Sequence, residues 1–257
     1  MRVPLPQAFL TQPLAHRGYH DRRQGIIENS LSAFDAAITA GYGIEIDLQL
    51  SSDGVAMVFH DHNLDRLTAA KGPVQARTAA DLTALTLTGG TDPIPTLTQV
   101  LTRIAGRAPL LIEVKDQSLT MSDTDARLET ATAAALATYQ GPVAVMSYNP
   151  HAVAHLARLV PDIPRGLTTS AYDPTDWHPM PAATCTRLRA IPDYDRTESC
   201  FISHEAADLS RPRVADLKAR GAAILCWTIT SPDAESEARN FAHNITFEGY
   251  PAPIIRP

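Results

Sequence analysis

The octapeptide Gly43-Ile44-Glu45-Ile46-Asp47-Leu48-Gln49-Leu50 alternates without a break. Ile44, Ile46, Leu48 and Leu50 fall on one face and Glu45, Asp47 and Gln49 on the other, the period of a strand with one apolar and one polar side. Two carboxylates two positions apart point the same way, with Cα atoms roughly 6–7 Å apart, so their side chains can converge on one cation. An edge strand with a wet outer face alternates in the same way, and an isolated Glu-x-Asp is more often that. The residues that follow favour a site. Ser51-Ser52-Asp53-Gly54 holds a turn dipeptide, and the apolar run from Val55 to Phe59 reads as a returning strand that ends in His60-Asp61. A hairpin here folds His60 back toward Glu45 and Asp47.

Upstream, the short apolar run Gln12-Pro13-Leu14-Ala15 delivers His16-Arg17-Gly18. Glu28-Asn29-Ser30 then precedes Leu31, Phe34 and Ile38 at helical spacing. Asn29 or Ser30 is the N-cap of that helix and Gly41 its stop. The Glu45/Asp47 strand follows at once, so the order is strand, loop, helix, strand, the unit of a parallel sheet. Downstream, the stretch of about 51–92 breaks the pattern with the hairpin, Gly72-Pro73 and Gly89-Gly90, and reads as an insertion. Thr96 caps the next helix, and the Ala-rich run 122–139 reads as a helix capped by Ser122 and Asp125. Helices are also expected near 150–160 and 210–220 and after Ser231-Pro232-Asp233, while 172–195 reads as a long loop with room for one helical turn. Strands at 13–16, 43–50, 109–115, 143–147, 165–169, 199–203, 223–229 and 244–247 make eight. At 257 residues that number predicts a TIM (β/α)8 barrel in a single domain, 1–257, with a small insertion after the second strand.

Hydrophobic residues make up 44% and charged residues 19%, the balance of a globular enzyme. A net charge of −6 with no basic stripe argues against a nucleic-acid partner, while a few local cations suffice for a phosphate substrate. No run is apolar enough to span a bilayer, and Met1-Arg2-Val3-Pro4-Leu5-Pro6 lacks the core of a signal peptide. Cys185, Cys200 and Cys226 are odd in number and lack metal-ligand spacing, so they read as reduced thiols of a cytoplasmic protein.

In a barrel of this kind chemistry belongs at the C-terminal strand ends. Those ends hold His16-Arg17, Glu45/Asp47, Glu113/Lys115, Ser147, His204, Trp227 and Glu248. Three carboxylates from two strands, without cysteine, make an oxygen-rich site that suits Mg²⁺ or Ca²⁺ better than zinc. Arg17 and Lys115 supply cations for phosphate oxygens. Two histidines whose pKa sits near neutrality offer a general base and a general acid. His62, His151, His155, His178 and His243 read as surface or helix residues, and His20 is open.

The segments AHRG (15–18), ENS (28–30), EIDLQLSSDG (45–54), VFHDHNLDRLT (58–68), IPTLTQVL (94–101) and IEVK (112–115) together resemble the glycerophosphodiester phosphodiesterase family. Weaker matches at VMSYNP (145–150) and ILCWTI (224–229) extend the resemblance over nearly the whole chain. It implies a metal-dependent barrel hydrolase that releases glycerol 3-phosphate and an alcohol from a small glycerophosphodiester. It also implies Glu45, Asp47 and Glu113 as ligands of one divalent cation, Mg²⁺ or Ca²⁺, and His16 and His60 as the acid/base pair. Arg17 and Lys115 fall on the phosphate, Trp227 in the pocket wall, and Glu28 and Asp61 behind the reacting groups.

The chain departs from the family near its end, with Thr246-Phe247-Glu248-Gly249-Tyr250-Pro251 where a Thr-Asp-x-Pro pattern is frequent. A longer acid one residue later is expected to reshape the pocket floor. Two other functions remain in view. A lysophospholipase D on the same barrel needs an apolar channel beside the site. A non-catalytic phosphodiester-binding protein has no need of an acid/base pair. The neighbouring glycerol 2-hydroxyl is the expected nucleophile, giving a cyclic phosphate, because the covalent skeleton already holds it beside the phosphorus.

Overall fold

In the computed structural model, which describes residues 2–254, the octapeptide 43–50 is a strand buried along its whole length. It is not an edge strand, so both of its faces look into protein. In chain order, a short helix α1 (Ala8–Thr11) leads into β1 (Leu14–Ala15), α2 (Leu31–Ala40) and β2 (Gly43–Leu50). The returning arm β3 (Ala56–Val58), α3 (Ala79–Thr83) and α4 (Leu97–Ile104) follow. Strands and helices then alternate as β4 (Leu110–Val114), α5 (Arg127–Leu136), β5 (Val143–Ser147), α6 (Pro150–Leu159), β6 (Arg165–Thr169) and α7 (Ala182–Arg189). The chain continues with β7 (Phe201–Glu205), α8 (Pro212–Ala219), β8 (Ala223–Ile229), α9 (Pro232–Ala238) and β9 (Asn244–Phe247).

Parallel pairing runs β1-β2-β4-β5-β6-β7-β8-β9, and β9 pairs back onto β1, so eight strands close into the predicted TIM barrel. β3 is antiparallel to β2 and lies outside the ring. Strand alternation sorts the two faces. Ile44, Ile46, Leu48, Leu110, Ile112 and Val114 turn outward into the core shared with the helices. Each such apolar side chain contributes about 1.5–3 kcal/mol by leaving water. Leu14, Leu111, Ala144, Phe201 and Leu225 turn inward and fill the lower barrel, where Phe9 of α1 closes the end. Asn244 fastens α1 there through its side-chain NH₂, which donates to the carbonyls of Phe9 (2.8 Å) and Gln12 (2.6 Å). The inward positions above this apolar plug are left for polar groups.

The insertion after β2 carries its own small core of Met57, Phe59, Leu64, Leu67, Val74, Leu82 and Leu87, joined by Ile27 and Ile94 from outside it. Thr78 and Asp81 form a capping box on α3.

Several boundaries differ from the sequence expectation. β7 runs to Glu205, two residues past the expected end, because its parallel ladder with β8 continues from Phe201↔Ala223 to Glu205↔Trp227. α5 starts at Arg127 after a left-handed Ala126, not at the expected Ser122–Asp125 cap. Its would-be first turn is spent on the loop, where the Asn149 amide donates to the Ser122 carbonyl (2.7 Å) and to Asp116 (2.8 Å). The segment 172–195 holds the eight-residue helix α7 and a 3-10 turn at Pro192–Tyr194. There Tyr172, Met180, Cys185 and Leu188 build a small apolar cluster that a loop reading misses. Among the described residues no helix is long and apolar enough to cross a membrane.

Candidate active site

The polar face of β2 opens into the barrel mouth. Asp47 lies directly across from Glu113 of β4, in parallel register, and Glu45 one layer deeper. All three carboxyl groups are buried, with exposures of 2%, 1% and 6% for Glu45, Asp47 and Glu113. One oxygen from each lies within 4.8 Å of the other two. They line a cavity of about 110 Å³ together with His16, Arg17, His60, Lys115, Tyr148, Ser203, Trp227 and Thr246. The eight residues expected to act as metal ligands, acid/base groups or substrate contacts therefore meet in one pocket, whereas Ser147, His204 and Glu248 do not line it.

Two cations partly balance the three acids. Lys115 Nζ lies 2.7 Å from Asp47 and 2.8 Å from Glu113. An ammonium has three donors, so one is left over. Arg17 places its backbone N–H on Glu45 (3.0 Å) and its Nη1 on Glu28 (2.6 Å). Its buried Nε is 3.4 Å from Asp47 but has no hydrogen-bond partner. Burial works against Asp47, yet Lys115, His60 and Arg17 hold its carboxyl far below the usual range. Glu45 is left with the surplus charge. Burial first, then Asp47 and Glu113, push its carboxyl well above normal. A net negative, all-oxygen triad of this size fits a hard divalent cation.

The two histidines are held alike. His60, carried back by β3, donates from Nδ1 to Asp61 at 2.7 Å. His16, one residue past β1, donates from Nδ1 to Glu248 at 2.7 Å. An ionised carboxylate only accepts, so each contact favours a proton on Nδ1 of the ring. Burial lowers the His16 pKa, and the Glu248 bond opposes that shift.

The local sequence explains these positions. Arg17 (φ 55°) and Gly18 (φ 81°) turn the chain sharply after β1. A Cβ on Gly18 would lie 2.8 Å from that of Ala33, so only glycine lets α2 approach this turn. Of the two cap candidates, Ser30 caps α2 by accepting from the Ala33 N–H. Asn29 is buried instead, and its amide donates to Asp47 at 2.9 Å.

Three site features escaped the sequence reading. Arg66, from the insertion, donates to Glu28 (2.7 and 2.8 Å) and to Asp61 (2.7 and 2.8 Å), tying the groups behind both ends of the pocket. The motif VFHDHNLDRLT contained it, but nothing local marked its partners. Ser203 and Thr246 bring buried hydroxyls without partners to the pocket lining. Glu248 does not shape the pocket floor as expected. It follows β9 at the rim, and its carboxylate faces His16 and, at 3.4 Å, His20. His204 lies on the outward face of β7, where its ring meets Thr169 (2.8 Å) and Asp208 (3.3 Å) away from the pocket.

A closed parallel barrel with acids, imidazoles and cations at its C-terminal mouth defines an enzyme of the (β/α)8 class. The model of the "Glycerophosphoryl diester phosphodiesterase family" matches residues 16–244, and the chain belongs to that family. It is similar to an Oleispira antarctica phosphodiesterase solved in complex with the product sn-glycerol-3-phosphate, at 26% identity over 95% of each chain and a TM-score of 0.76. A glycerophosphodiester phosphodiesterase of Caldanaerobacter subterraneus subsp. tengcongensis is 28% identical over 176 residues, 65% of this chain and 70% of that one. One from Parabacteroides distasonis, 24% identical over 92% of each chain with a TM-score of 0.72, has the same fold.

Proposed function

We propose that this chain hydrolyses small glycerophosphodiesters to glycerol 3-phosphate and a free alcohol. The observation that carries the reading is the pairing of two imidazoles, each fixed through Nδ1 by a carboxylate, with a buried three-acid cluster in one cavity. The product bound to the Oleispira antarctica relative supports the substrate class. Glu45, Asp47 and Glu113 would hold one divalent cation, Mg²⁺ or Ca²⁺. When bound, that cation supplies a Lewis acid and a template for oxygen ligands.

The remaining roles belong to the chain's own groups. His16 and His60 exchange protons with the attacking hydroxyl and the departing alcohol. The unpartnered Nε of Arg17 and the spare donor of Lys115 hold phosphoryl oxygens, where charge grows in the transition state. Trp227, whose Nε1 donates to the Ser203 carbonyl at 3.1 Å, walls the pocket together with Tyr148. The three free, buried thiols are consistent with a cytoplasmic compartment.

The cation requirement is testable directly. Protein stripped by a chelator should lose turnover and regain it when Mg²⁺ or Ca²⁺ returns. Glu113→Gln should weaken binding of the metal alone, measured by calorimetry, because an amide is a poorer ligand for a hard ion than a carboxylate. Full turnover after chelation would remove the metal from the scheme.

A further inference from the structure

Glu248 has no assigned part in the chemistry, yet it is built into the rim with some care. The backbone N–H of His16 donates to the Phe247 carbonyl (2.9 Å), and that of Glu248 donates to Ile229 (3.0 Å). The ladder between β1 and β9 thus fixes the two residues relative to each other. Phe247 is packed by Tyr42 (ring centroids 4.7 Å), Tyr250 (5.6 Å) and Tyr19 (6.1 Å), which anchors the chain on both sides of the acid. The carboxylate then meets His16 at 2.7 Å, while His20 Nε2 stands 3.4 Å away without a hydrogen bond to it. His60 has a matching arrangement, in which Asp61 holds the ring and Arg66 holds Asp61.

We infer that Glu248 is the positioning residue of His16, holding the imidazole in the Nδ1–H tautomer with Nε2 toward the pocket. The inference rests on the reading of His16 as a proton-transfer group. A neutral imidazole free in water prefers its proton on Nε2, which would leave the pocket-side nitrogen unable to accept one. An acceptor-only carboxylate on Nδ1 reverses that preference and fixes the ring's rotation. Glu248 touches no reacting atom, so its loss should slow the proton transfer and leave substrate binding intact. Groups placed this way behind a working residue typically contribute 10–100-fold.

The test combines kinetics with a spectroscopic signature. Glu248→Gln and Glu248→Ala should each lower kcat about 10–100-fold with KM changed less than about threefold. His20→Ala, which leaves the 2.7 Å bond in place, should cost much less. In ¹⁵N-labelled wild-type protein the His16 ring, identified by its loss in His16→Ala, should show a protonated Nδ1 and a bare Nε2. In Glu248→Ala the proton should move toward Nε2, while the melting temperature of the fold stays near that of the wild type.

Wild-type His16 with its proton on Nε2 would overturn the inference. So would kcat that survives in Glu248→Ala but collapses in His16→Ala, or a fall in kcat that comes only with loss of fold. Full activity in His16→Ala itself would instead refute the catalytic reading of that histidine, whatever its tautomer. Because the ring signature is read without substrate, the two failures are separable.

Discussion

His16→Ala and His60→Ala should each lower turnover at least ~100-fold, the usual contribution of a positioned acid or base and equal to about 2.7 kcal/mol of transition-state stabilisation. The expectation follows from placement. Both rings line one cavity, and both are fixed through Nδ1 by a carboxylate at 2.7 Å. In the proposed reaction they form one proton relay, so the double mutant should be little worse than the worse single mutant. Steady-state kinetics on purified variants with metal present would check this. Near-native activity in either single mutant removes that histidine from the relay, and additive losses show that the two act independently.

A substrate analogue lacking the glycerol 2-hydroxyl is expected to bind but barely turn over. In the proposed path this hydroxyl attacks phosphorus, one histidine takes its proton and the other protonates the departing alcohol. A cyclic phosphate results, and the two roles reverse when water opens the ring. The skeleton of the substrate already holds the hydroxyl beside the phosphorus, so orientation entropy that free water would lose is not lost again. Effective molarities of well-oriented intramolecular attack reach ~10⁵ M and above. The buried hydroxyls of Ser203 and Thr246 line the same cavity without partners and are available to the polyol. Hydrolysis of the deoxy analogue at the parent rate would favour direct attack by water.

The sequence showed those parts of the site that a local pattern records. Alternation in 43–50 put Glu45 and Asp47 on one face, and the barrel turned that face inward because eight closed strands leave a polar row only one place to go. The hairpin placed His60 by turn chemistry alone, as its Asp53-Gly54 predicts. Groups brought together by the ring closure were invisible. Glu248 and His16 are 232 residues apart and meet only because β9 pairs with β1. Arg66 reaches Glu28 across 38 residues through the insertion's separate core.

Boundary errors have the same origin. β7 is extended by its neighbour β8, and the expected cap at Ser122–Asp125 loses to a loop organised by Asp116 and Asn149. Asn29 shows the finer limit. Its residue type suited a cap, but the adjacent Ser30 took that task and left Asn29 free to hold Asp47.

The most direct test of the proposed activity is a comparison of two substrates on one metal-loaded preparation. Release of sn-glycerol 3-phosphate from glycerophosphocholine would be followed beside release of choline from lysophosphatidylcholine. The polar cavity of about 110 Å³, with Tyr148 and Trp227 as its aromatic wall, predicts rapid turnover of the water-soluble diester and little of the lipid. Faster turnover of lysophosphatidylcholine, or no turnover of either substrate with Mg²⁺ or Ca²⁺ restored, would contradict it.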